Sequence, residues 1–343
     1  MFARFDIDDS IIVSEVEHNY YLCVQNITFL PKGDTSFIYI ITCENGIKYF
    51  LKLLAKDTVS GKARIEQLDC YLPVTWEMHQ KGLCKNISYP IKSIDGCFQV
   101  DIGVGVIVIF NYIEGETLAD AYPFSRLILE NVAKAIGEVH KATYHFSSTN
   151  TRIENFEIPF ESRLIMMLKE LEGRSRFHDH DRQNLRDFIV SREKIILSFL
   201  GQLREYQKSV KRNPKEMFFT HGDMWGGNMI LDLNSELNIV DWESLMIASP
   251  EADLHLYIGE DFDYFIGKYR EKLGFSVNLV SDYFGYYAYK SQLSNLTNWM
   301  SRILYDNQSS EQKSNDFEGI TIHCMARWDD VADKIRNLRR SLF

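Results

Sequence analysis

The stretch HGDMWGGN, residues 221–228, leads directly into NMILDLNSELNIVD, residues 228–241. The glycines and the mixture of polar and apolar side chains in the first stretch suit neither a regular helix nor a regular strand. The second stretch consists of two apolar segments separated by a polar turn, which is the pattern of a β-hairpin. The sequence therefore predicts a loop that carries polar side chains into the open end of a hairpin.

The predicted hairpin determines which side chains lie opposite each other. With a turn centred on residues 234–235, Ile230 faces Ile239 and Asn228 faces Asp241. Directly opposed residues of an antiparallel pair have Cβ atoms about 4.5–5.5 Å apart. We therefore expect an amide and a carboxylate side by side at the open end of the hairpin.

Three oxygen-bearing side chains are thus expected close together, because Asp223 lies on the loop just before Asn228 and its partner Asp241. Carboxylate and amide oxygens suit Mg²⁺, which binds through one or two carboxylates plus substrate phosphates. A soft metal is excluded, since the two stretches hold no cysteine and only one histidine. A structural role is the alternative, because Asp and Asn side chains commonly stabilise turns.

The composition is that of an ordinary folded protein. The 343 residues are 45% hydrophobic and 25% charged, and the formal net charge at pH 7 is −10. Binding to a nucleic-acid backbone needs a basic surface, so this charge argues against a nucleic-acid partner. It is compatible with a cationic substrate. The length allows one large domain or two of medium size, each with a proper core.

No targeting or membrane segment is expected. The N-terminus MFARFDIDDS is acidic and lacks the apolar core of a signal peptide. The longest apolar run, GVGVIVIF at 103–110, is far too short to span a bilayer. The six cysteines are scattered without a CxxC pair, which is typical of free thiols in a reducing compartment. These features predict a cytoplasmic protein without a membrane partner, and they leave open whether it is a monomer or a dimer.

Strand-forming residues are concentrated in the first third of the chain. Strands are predicted between residues 27 and 54, separated by turns at PKGD and ENG, and again at 87–94 and 97–110. A helix is predicted at 58–81, which Pro73 kinks or splits.

Farther along the chain, apolar residues recur at helical spacing. One β-rich island, residues 217–243, interrupts this helical part and contains the hairpin. The predicted architecture is α+β. It has an antiparallel β lobe with one helix at 1–110, a connector at about 110–115, and a larger helical lobe at 111–343 that carries the embedded hairpin.

The loop and the hairpin together resemble the catalytic centre of a kinase, H-x-D-x-x-x-x-N followed by a metal-binding aspartate. They are most similar to the aminoglycoside phosphotransferase and choline-kinase-like family. The HGDxxxxN motif of that family is intact at 221–228, its metal segment is matched by IVDWE at 239–243, and its P-x-x-D-L context is matched by Pro250, Asp253 and Leu254. The resemblance implies a bilobal protein-kinase-like fold that uses Mg²⁺ and ATP, with GTP as the alternative nucleotide.

The resemblance also assigns roles within the motif. It makes Asp223 the catalytic base, or the residue that orients the acceptor hydroxyl, and it makes Asn228 and Asp241 the metal ligands. His221 is expected to brace the loop, and Asp253 to accept hydrogen bonds from it. Phosphoryl transfer is catalysed mainly by positioning and by neutralising phosphate charge, which these residue types can do.

A kinase of this type needs a lysine for the nucleotide phosphates on a strand of the β lobe. Lys52 in YFLKLL meets that need, because an ammonium between apolar neighbours is costly unless it binds something or reaches solvent. Its acidic partner is expected on the following helix, where Glu66 and Asp69 are both candidates and Glu66 is preferred. An ordinary solvent-facing lysine is the alternative.

Two segments are expected to surround the nucleotide. The connector 108–115 resembles the hinge of the family, where the Asn111 carbonyl and the Ile113 N–H face the adenine and Phe110 lies behind it. No GxxxxGK[ST] stretch is present, which excludes a P-loop enzyme. The loop PKGDTSF at 31–37 is expected to cover the phosphates with backbone N–H groups. The residues predicted to do so are Gly33, Asp34, Thr35 and Ser36.

The acceptor site of this family is built by the helical lobe. Carboxylates can hold ammonium groups and aromatic rings can stack on sugars or cations, although aromatic residues at helical spacing are usually core residues. The layout after Asp241-Trp242-Glu243 is loosely similar to spectinomycin-type phosphotransferases, whereas it departs from the Asp-Pro segment of fructosamine kinases. The candidate acceptor-binding residues are Glu243, Glu260, Asp261, Asp263 and Trp299.

The leading hypothesis is an ATP- and Mg-dependent kinase that phosphorylates a hydroxyl of a small molecule, with an aminoglycoside-like antibiotic as the expected acceptor. The first alternative is a metabolic kinase for choline, a sugar, homoserine or a fructosamine. The second is a kinase-like binding module that has lost catalysis. Such modules commonly lack one of the Lys, Asp, Asn and Asp positions, and this sequence has all four.

Overall fold

A five-stranded antiparallel sheet forms the N-terminal part of the structure, a computed structural model that describes residues 4–31, 36–147, 149–306 and 309–341. The strands are β1 (Val24–Leu30), β2 (Phe37–Cys43), β3 (Lys48–Ala55), β4 (Val100–Asp101) and β5 (Gly105–Asn111). They lie in the order β1-β2-β3-β5-β4. The hairpins predicted between residues 27 and 54 are therefore confirmed.

A helix that was not predicted from the sequence, α1 (Asp9–Tyr20), packs against this sheet. Asp8 caps the helix by accepting a hydrogen bond from the Ser10 N–H at 2.8 Å. Ile12 and Val16 are fully buried in the core that the helix shares with the strands. Three consecutive β-branched residues, Ile11, Ile12 and Val13, lie in α1, and such residues favour a strand over a helix, so local propensity does not mark this helix.

The strand predicted at 87–94 is wrong. These residues contribute only two isolated bridges, from Ile87 to Ile239 and from Pro90 to Phe110. A proline cannot donate a ladder hydrogen bond, so it interrupts strand pairing. The following segment, predicted as one strand at 97–110, is divided into β4 and β5 by a turn.

Pro73 does not split the predicted helix, which is the continuous α2 (Val59–Gln80). A proline inside a helix removes one hydrogen bond to the carbonyl four residues earlier. Here that carbonyl belongs to Asp69, which is exposed, so water can satisfy it.

The rest of the described chain is mainly helical, as predicted. The helices are α3 (Arg126–Ala142), α4 (Glu161–Gly173), α5 (His180–Val190), α6 (Glu193–Arg212), α7 (Glu251–Leu254), α8 (Phe262–Leu273), α9 (Ser281–Tyr305), α10 (Ser310–Glu318) and α11 (Trp328–Ser341). A π-helical segment, Gly319–Cys324, follows α10. None of the helices in the described ranges is both long enough and apolar enough to cross a membrane.

The predicted β-rich island contributes to two small antiparallel sheets. The island supplies β7 (Phe218–Thr220), β8 (Met229–Asp232) and β9 (Leu237–Ile239), and their partners outside it are β6 (Gly115–Thr117) and β10 (Met246–Ala248). β7 pairs with β10, and β8 lies between β6 and β9. The HGDMWGGN loop runs from the end of β7 to the start of β8, so both of its ends are anchored in sheet.

The described chain divides into two compact units, each made of several chain segments. The first unit comprises the residues up to Ile153, Phe218–Ala248 and Tyr264–Ser276. The second unit comprises Glu154–Met217, Ser249–Asp263 and the residues from Val277 onward. The first unit contains the five-stranded sheet, the loop and the hairpin. The single boundary expected at about 110–115 remains a prediction.

Candidate active site

The hairpin behind the loop pairs in a register one residue away from the predicted one. Ile230 lies opposite Asn238 rather than Ile239. Asn228 therefore stands opposite Val240, and its backbone carbonyl accepts a hydrogen bond from the Val240 N–H at 3.0 Å. Asp241 lies one residue further along, so the direct Asn228–Asp241 pairing expected from the sequence is wrong.

The turn of the hairpin explains this shift. Its loop spans the three residues 233–235 instead of two, since the Asp232 N–H donates to the Glu236 carbonyl at 3.0 Å. Ser235 is left-handed with a φ of 61°, as expected in a three-residue hairpin loop. The Asp232 carboxylate accepts the N–H groups of Asn234 and Glu236, both at 2.9 Å, and these bonds hold the turn closed.

Asp223 and Asn228 contact each other directly. The Asn228 Nδ2 donates to the Asp223 Oδ2 at 2.8 Å and to the Asp223 carbonyl at 2.9 Å. Asn228 is buried whereas Asp223 is exposed. The asparagine thus orients an aspartate that solvent and ligands can reach.

Two glycines of the loop are required by the backbone around them. Gly222 has a φ of 81°, a conformation that strains other residues, and a Cβ there would lie 2.6 Å from the Ser244 carbonyl oxygen. A Cβ on Gly226 would lie 2.3 Å from the Leu118 carbonyl oxygen. The Gly226 N–H donates to the Tyr122 hydroxyl at 2.9 Å. The glycines therefore let the loop lie directly on neighbouring backbone.

His221 braces the loop from within the first unit. The ring is fully buried, and its Nε2 donates to the Val240 carbonyl at 3.0 Å. Its Nδ1 accepts a hydrogen bond from the Asp223 N–H at 3.3 Å. One imidazole thereby joins the end of the hairpin to the backbone of Asp223, which supports the bracing role expected for it.

Lys52, on β3, has only 10% of its side chain exposed. Its Nζ donates to the Asp241 Oδ1 and to the Glu243 Oε1, each at 2.7 Å. The centroid of the Phe110 ring lies 5.9 Å from this Nζ. Lys52 is thus a largely buried cation held by two carboxylates, the nearer of which in sequence is 189 residues away.

Glu243 joins two cations. Its Oε1 pairs with Lys52, and its Oε2 forms an ion pair with Arg64 of α2. The backbone carbonyl of Glu243 accepts a hydrogen bond from the Arg152 guanidinium at 2.9 Å. Only 10% of the Glu243 side chain is exposed, and a carboxylate buried to this extent needs such counter-charges.

The acidic partner of Lys52 differs from the expected one. Among the described residues its carboxylate partners are Asp241 and Glu243, whereas Glu66 and Asp69 are exposed on α2. The expected pairing with an acid of α2 is therefore wrong.

Helix periodicity explains why that acid is absent. Positions seven residues apart lie on the same face of a helix, and the face of α2 near Lys52 carries Arg64 and Tyr71. Glu66 and Asp69 lie elsewhere around the helix. Burial raises the pKa of the Tyr71 phenol to about 12, while the nearby Lys52 and Arg64 charges act in the opposite direction.

Asp241 marks the end of strand pairing. Its φ of 65° is left-handed, and a short 3-10 turn, Trp242–Ser244, follows it. Burial acts to raise the pKa of Asp241, but the Lys52 charge and hydrogen bond, with smaller effects of His221 and Arg64, hold that pKa below its usual value. The side chain is nevertheless 45% exposed, so a ligand can reach this carboxylate.

The predicted phosphate-covering loop lies largely outside the described residues. Gly33, Asp34 and Thr35 are not among them. Ser36 is described, and it is buried next to the start of β2.

The predicted hinge follows directly from β5. Phe110 is buried and Ile113 is half-buried. The Asn111 side chain accepts the Tyr89 N–H at 2.7 Å, and the Asn111 N–H donates to the Tyr89 carbonyl at 3.2 Å. These bonds fix the start of the connector, while the contact of the Asn111 carbonyl and the Ile113 N–H with a base remains a prediction.

The predicted magnesium ligands are one amide and one carboxylate. Because Asn228 donates through Nδ2 to Asp223, Oδ1 is the atom that it would offer to a cation. Asp241 would offer its partly exposed carboxylate. The described ranges contain no group of three or more His, Cys, Asp or Glu side chains arranged to hold a metal. The two-residue set fits Mg²⁺, which completes its coordination with water and substrate phosphates.

Glu243 and Trp299 both have protein partners in the structure, and their contact with an acceptor remains a prediction. One carboxylate oxygen of Glu243 pairs with Lys52 and the other with Arg64. A Cβ on Gly319 would lie 2.8 Å from the ring of Trp299, so this half-buried ring packs closely on the backbone of the second unit. Packing therefore occupies at least part of the Trp299 ring.

The other expected acceptor residues lie at the start of α8. Glu260 and Asp261 precede this helix and Asp263 is in its first turn. Glu260 and Asp263 are exposed, and Asp261 is half-buried. Their contact with an acceptor remains a prediction.

Three residues of the site were not identified from the sequence: Arg64, Tyr71 and Arg152. A single arginine without a surrounding motif usually faces solvent, and a tyrosine on the apolar side of a helix is usually part of the core. The contacts of the two arginines with Glu243, far apart along the chain, are what identify them.

A protein-family profile matches the part of the chain that contains these residues. The profile of the phosphotransferase enzyme family, APH, matches residues 35–268, which is more than half of the chain and includes Lys52, the loop and the hairpin. A comparison with curated proteins finds no significant match.

Solved structures with a similar fold have low sequence identity. The spectinomycin phosphotransferase APH(9)-Ia in complex with ADP and spectinomycin has a TM-score of 0.72 and 16% identity, covering 92% of this chain and 95% of that one. Amicoumacin kinase hAmiN in complex with AMP-PNP, Ca²⁺ and Ami has a TM-score of 0.59 and 13% identity, covering 92% and 93%. Choline kinase from Cryptosporidium parvum Iowa II has a TM-score of 0.55 and 16% identity, covering 98% and 100%.

These structural similarities confirm the predicted α+β kinase-like fold. The profile match confirms the predicted family and, with it, the predicted enzyme class. The chain belongs to the phosphotransferase enzyme family.

Proposed function

We propose that the protein transfers the γ-phosphate of ATP to a hydroxyl group of a small molecule. The observation that carries the proposal is the Asp223–Asn228 contact together with the Lys52–Asp241 ion pair, both within the first unit. Family membership supports the reaction class. The ADP and AMP-PNP complexes of the similar structures support ATP, and GTP is the alternative donor.

Asp223 acts on the acceptor. Its exposed carboxylate, oriented by Asn228, accepts a hydrogen bond from the acceptor hydroxyl and aligns that oxygen for attack. As the hydroxyl oxygen bonds to the γ-phosphorus, the bond from that phosphorus to the β–γ bridging oxygen breaks and ADP leaves. The hydroxyl proton passes to Asp223.

Lys52 neutralises negative charge on the nucleotide phosphates. Its ammonium is largely buried, and charge interactions are stronger in such an environment than in open water. The paired carboxylates hold the lysine in one orientation before the nucleotide binds. Positioning and charge neutralisation are the two requirements of phosphoryl transfer.

The Asn228 Oδ1 and the Asp241 carboxylate are the groups that would hold Mg²⁺. When bound, the ion neutralises charge on the phosphate oxygens. Asn228 would then have two functions, since its nitrogen orients Asp223 and its oxygen would be available to the ion.

The acceptor that we propose is a cationic, sugar-like molecule of the aminoglycoside antibiotic type. The net charge of −10 and the carboxylates of Glu260, Asp261 and Asp263 favour a cation. The similar spectinomycin phosphotransferase and amicoumacin kinase are complexed with spectinomycin and Ami, which supports an antibiotic acceptor. The similarity to a choline kinase keeps a metabolic acceptor as the alternative.

The Asp223→Asn variant tests this mechanism. Asparagine keeps the size of the side chain but cannot take up the proton, so we expect phosphoryl transfer to fall by about 10²–10⁴-fold, the usual contribution of a general base. ATP affinity, measured by calorimetry, is expected to stay at the wild-type value. Asp95→Asn, at an exposed turn of the same unit, is the matched control. Unchanged transfer by the Asp223 variant would contradict the assignment.

A further inference from the structure

We propose that Glu243 is the positioning residue of Lys52, and that it acts while paired with Arg64 of α2. The inference rests on the proposed function, because it concerns the lysine that binds the nucleotide phosphates. In this proposal, the carboxylate that positions Lys52 comes from the segment that follows Asp241, the proposed metal ligand, and not from α2.

The contacts of Glu243 fix its carboxylate at both oxygens. Oε1 accepts the Lys52 ammonium at 2.7 Å, and Oε2 pairs with the Arg64 guanidinium. The backbone is held as well, since its carbonyl accepts the Arg152 guanidinium at 2.9 Å. A glutamate restrained at these three oxygen atoms holds the Lys52 ammonium in one place.

Exposure separates Glu243 from Asp241, the other carboxylate bonded to Lys52. The Asp241 side chain is 45% exposed, whereas only 10% of Glu243 is exposed. A cation bound at Asp241 competes with Lys52 for that carboxylate, while Glu243 is enclosed by its own partners. Glu243 is therefore the partner that Lys52 keeps when Asp241 binds a metal.

Charge balance explains the need for Arg64. The group contains two cations, Lys52 and Arg64, and two carboxylates, Asp241 and Glu243. Lys52 and Glu243 are the two largely buried members, and removing a partner of either one leaves a buried charge uncompensated, which is unfavourable. Because α2 contributes a cation at this place, the acid for Lys52 comes from the segment after the hairpin.

Nucleotide affinity of the Glu243→Gln variant tests the proposal. Glutamine keeps the shape but loses the charge, so we expect the Kd for ADP to rise about tenfold or more, the effect of one charge-assisted hydrogen bond. The loss of ADP affinity should also appear when EDTA is present. In the transfer reaction, the KM for ATP should rise while the KM for the acceptor stays unchanged. Glu243→Asp is expected to recover part of the affinity. Glu44→Gln, at an exposed turn, is the matched control.

Variants of the two α2 acids provide the opposing test. If Glu66 or Asp69 positions Lys52, Glu66→Gln or Asp69→Asn will lose nucleotide affinity and Glu243→Gln will keep it. That result would overturn the proposal. We expect the reverse, because both α2 acids are exposed.

A double-mutant cycle on the ligand-free protein tests the pair without nucleotide. Lys52→Met and Glu243→Gln remove the same contact, so their effects on Tm should be non-additive, whereas those of Lys52→Met and Glu66→Gln should add. Additive effects for Lys52 and Glu243 would overturn the inference, whatever the nucleotide results. Failure of the proposed function would give a different result. The wild-type protein would bind no nucleotide, although the effects of the Lys52 and Glu243 substitutions on Tm are non-additive.

Discussion

Gly285 occupies a position in α9 where a side chain does not fit. A Cβ there would lie 2.4 Å from the ring of Tyr206 on α6, and this ring is buried. Added volume in a packed core forces neighbouring atoms to move, so we expect Gly285→Ala to destabilise the protein by about 1–3 kcal/mol. Urea unfolding measures the change.

Gly201 on α6 provides the matched control for this substitution. Nothing lies within 4 Å of a Cβ placed there, and alanine is the better helix former. Gly201→Ala is therefore expected to stabilise the protein by about 0.5–1 kcal/mol. Equal stability of the two alanine variants would contradict the close packing of α6 on α9.

Lys52 illustrates what the sequence predicts for a single residue. Its apolar neighbours in β3 mark it as a lysine that needs a binding partner, and the structure gives it two carboxylates. Its partners could not be predicted, because Asp241 and Glu243 are 189 and 191 residues away and no local pattern joins them to it. Side chains defined by a motif were identified, and those defined by distant contacts, such as Arg64, were not.

Asp179 connects two helices of the second unit. Its Oδ1 caps α5 by accepting the Arg182 N–H at 2.9 Å, and its Oδ2 accepts the buried Lys313 ammonium of α10 at 2.6 Å. We expect Asp179→Ala to cost about 0.5–2 kcal/mol of stability for the cap alone, with a further loss because Lys313 is left unpaired. Asp179→Asn keeps a capping oxygen and loses the ion pair, so its stability should lie between wild type and alanine. If the asparagine variant is as unstable as the alanine variant, the whole loss of stability comes from the ion pair with Lys313 and none from the cap.

The contribution of this ion pair should depend on pH. The hydrogen bond from Lys313, with smaller effects of the cap, holds the pKa of Asp179 below its usual value. A lowered folded-state pKa gives stability that is present above the unfolded pKa of about 4 and is lost as pH falls through the folded pKa. The stability difference between wild type and Asp179→Asn should thus be largest near neutral pH and shrink below about pH 4. Urea unfolding across this range tests it, and a difference that grows toward low pH would contradict it.

The hairpin behind the HGDMWGGN loop shows the same division between what the sequence could and could not predict. Two short apolar segments predict its two strands, and the polar stretch between them predicts the turn. The register was missed because Ser235 adopts a left-handed conformation that the presence of a serine does not predict. With this conformation the loop is one residue longer than expected. The left-handed Asp241 then directs its carboxylate to Lys52 without the predicted cross-strand pairing.

The molecule as a whole assembles its site from distant parts of the chain. Lys52 and Arg64 lie in the N-terminal part, Arg152 follows α3, and the loop and hairpin lie beyond residue 217, yet all belong to the first unit. The α+β class could be predicted, because strand and helix periodicities are local properties of the sequence. The composition of the two units could not, since each combines segments that local patterns do not connect.

Transfer of labelled phosphate decides whether this assembled site is a kinase. The wild-type protein, γ-labelled ATP and Mg²⁺ would be incubated with aminoglycosides, spectinomycin, choline, homoserine and a fructosamine in separate reactions. We expect label on at least one acceptor that carries both a hydroxyl and an amino or ammonium group, with release of an equal amount of ADP and no transfer in EDTA. Tight binding of ATP without label on any acceptor would contradict the proposal and would identify the protein as a nucleotide-binding module.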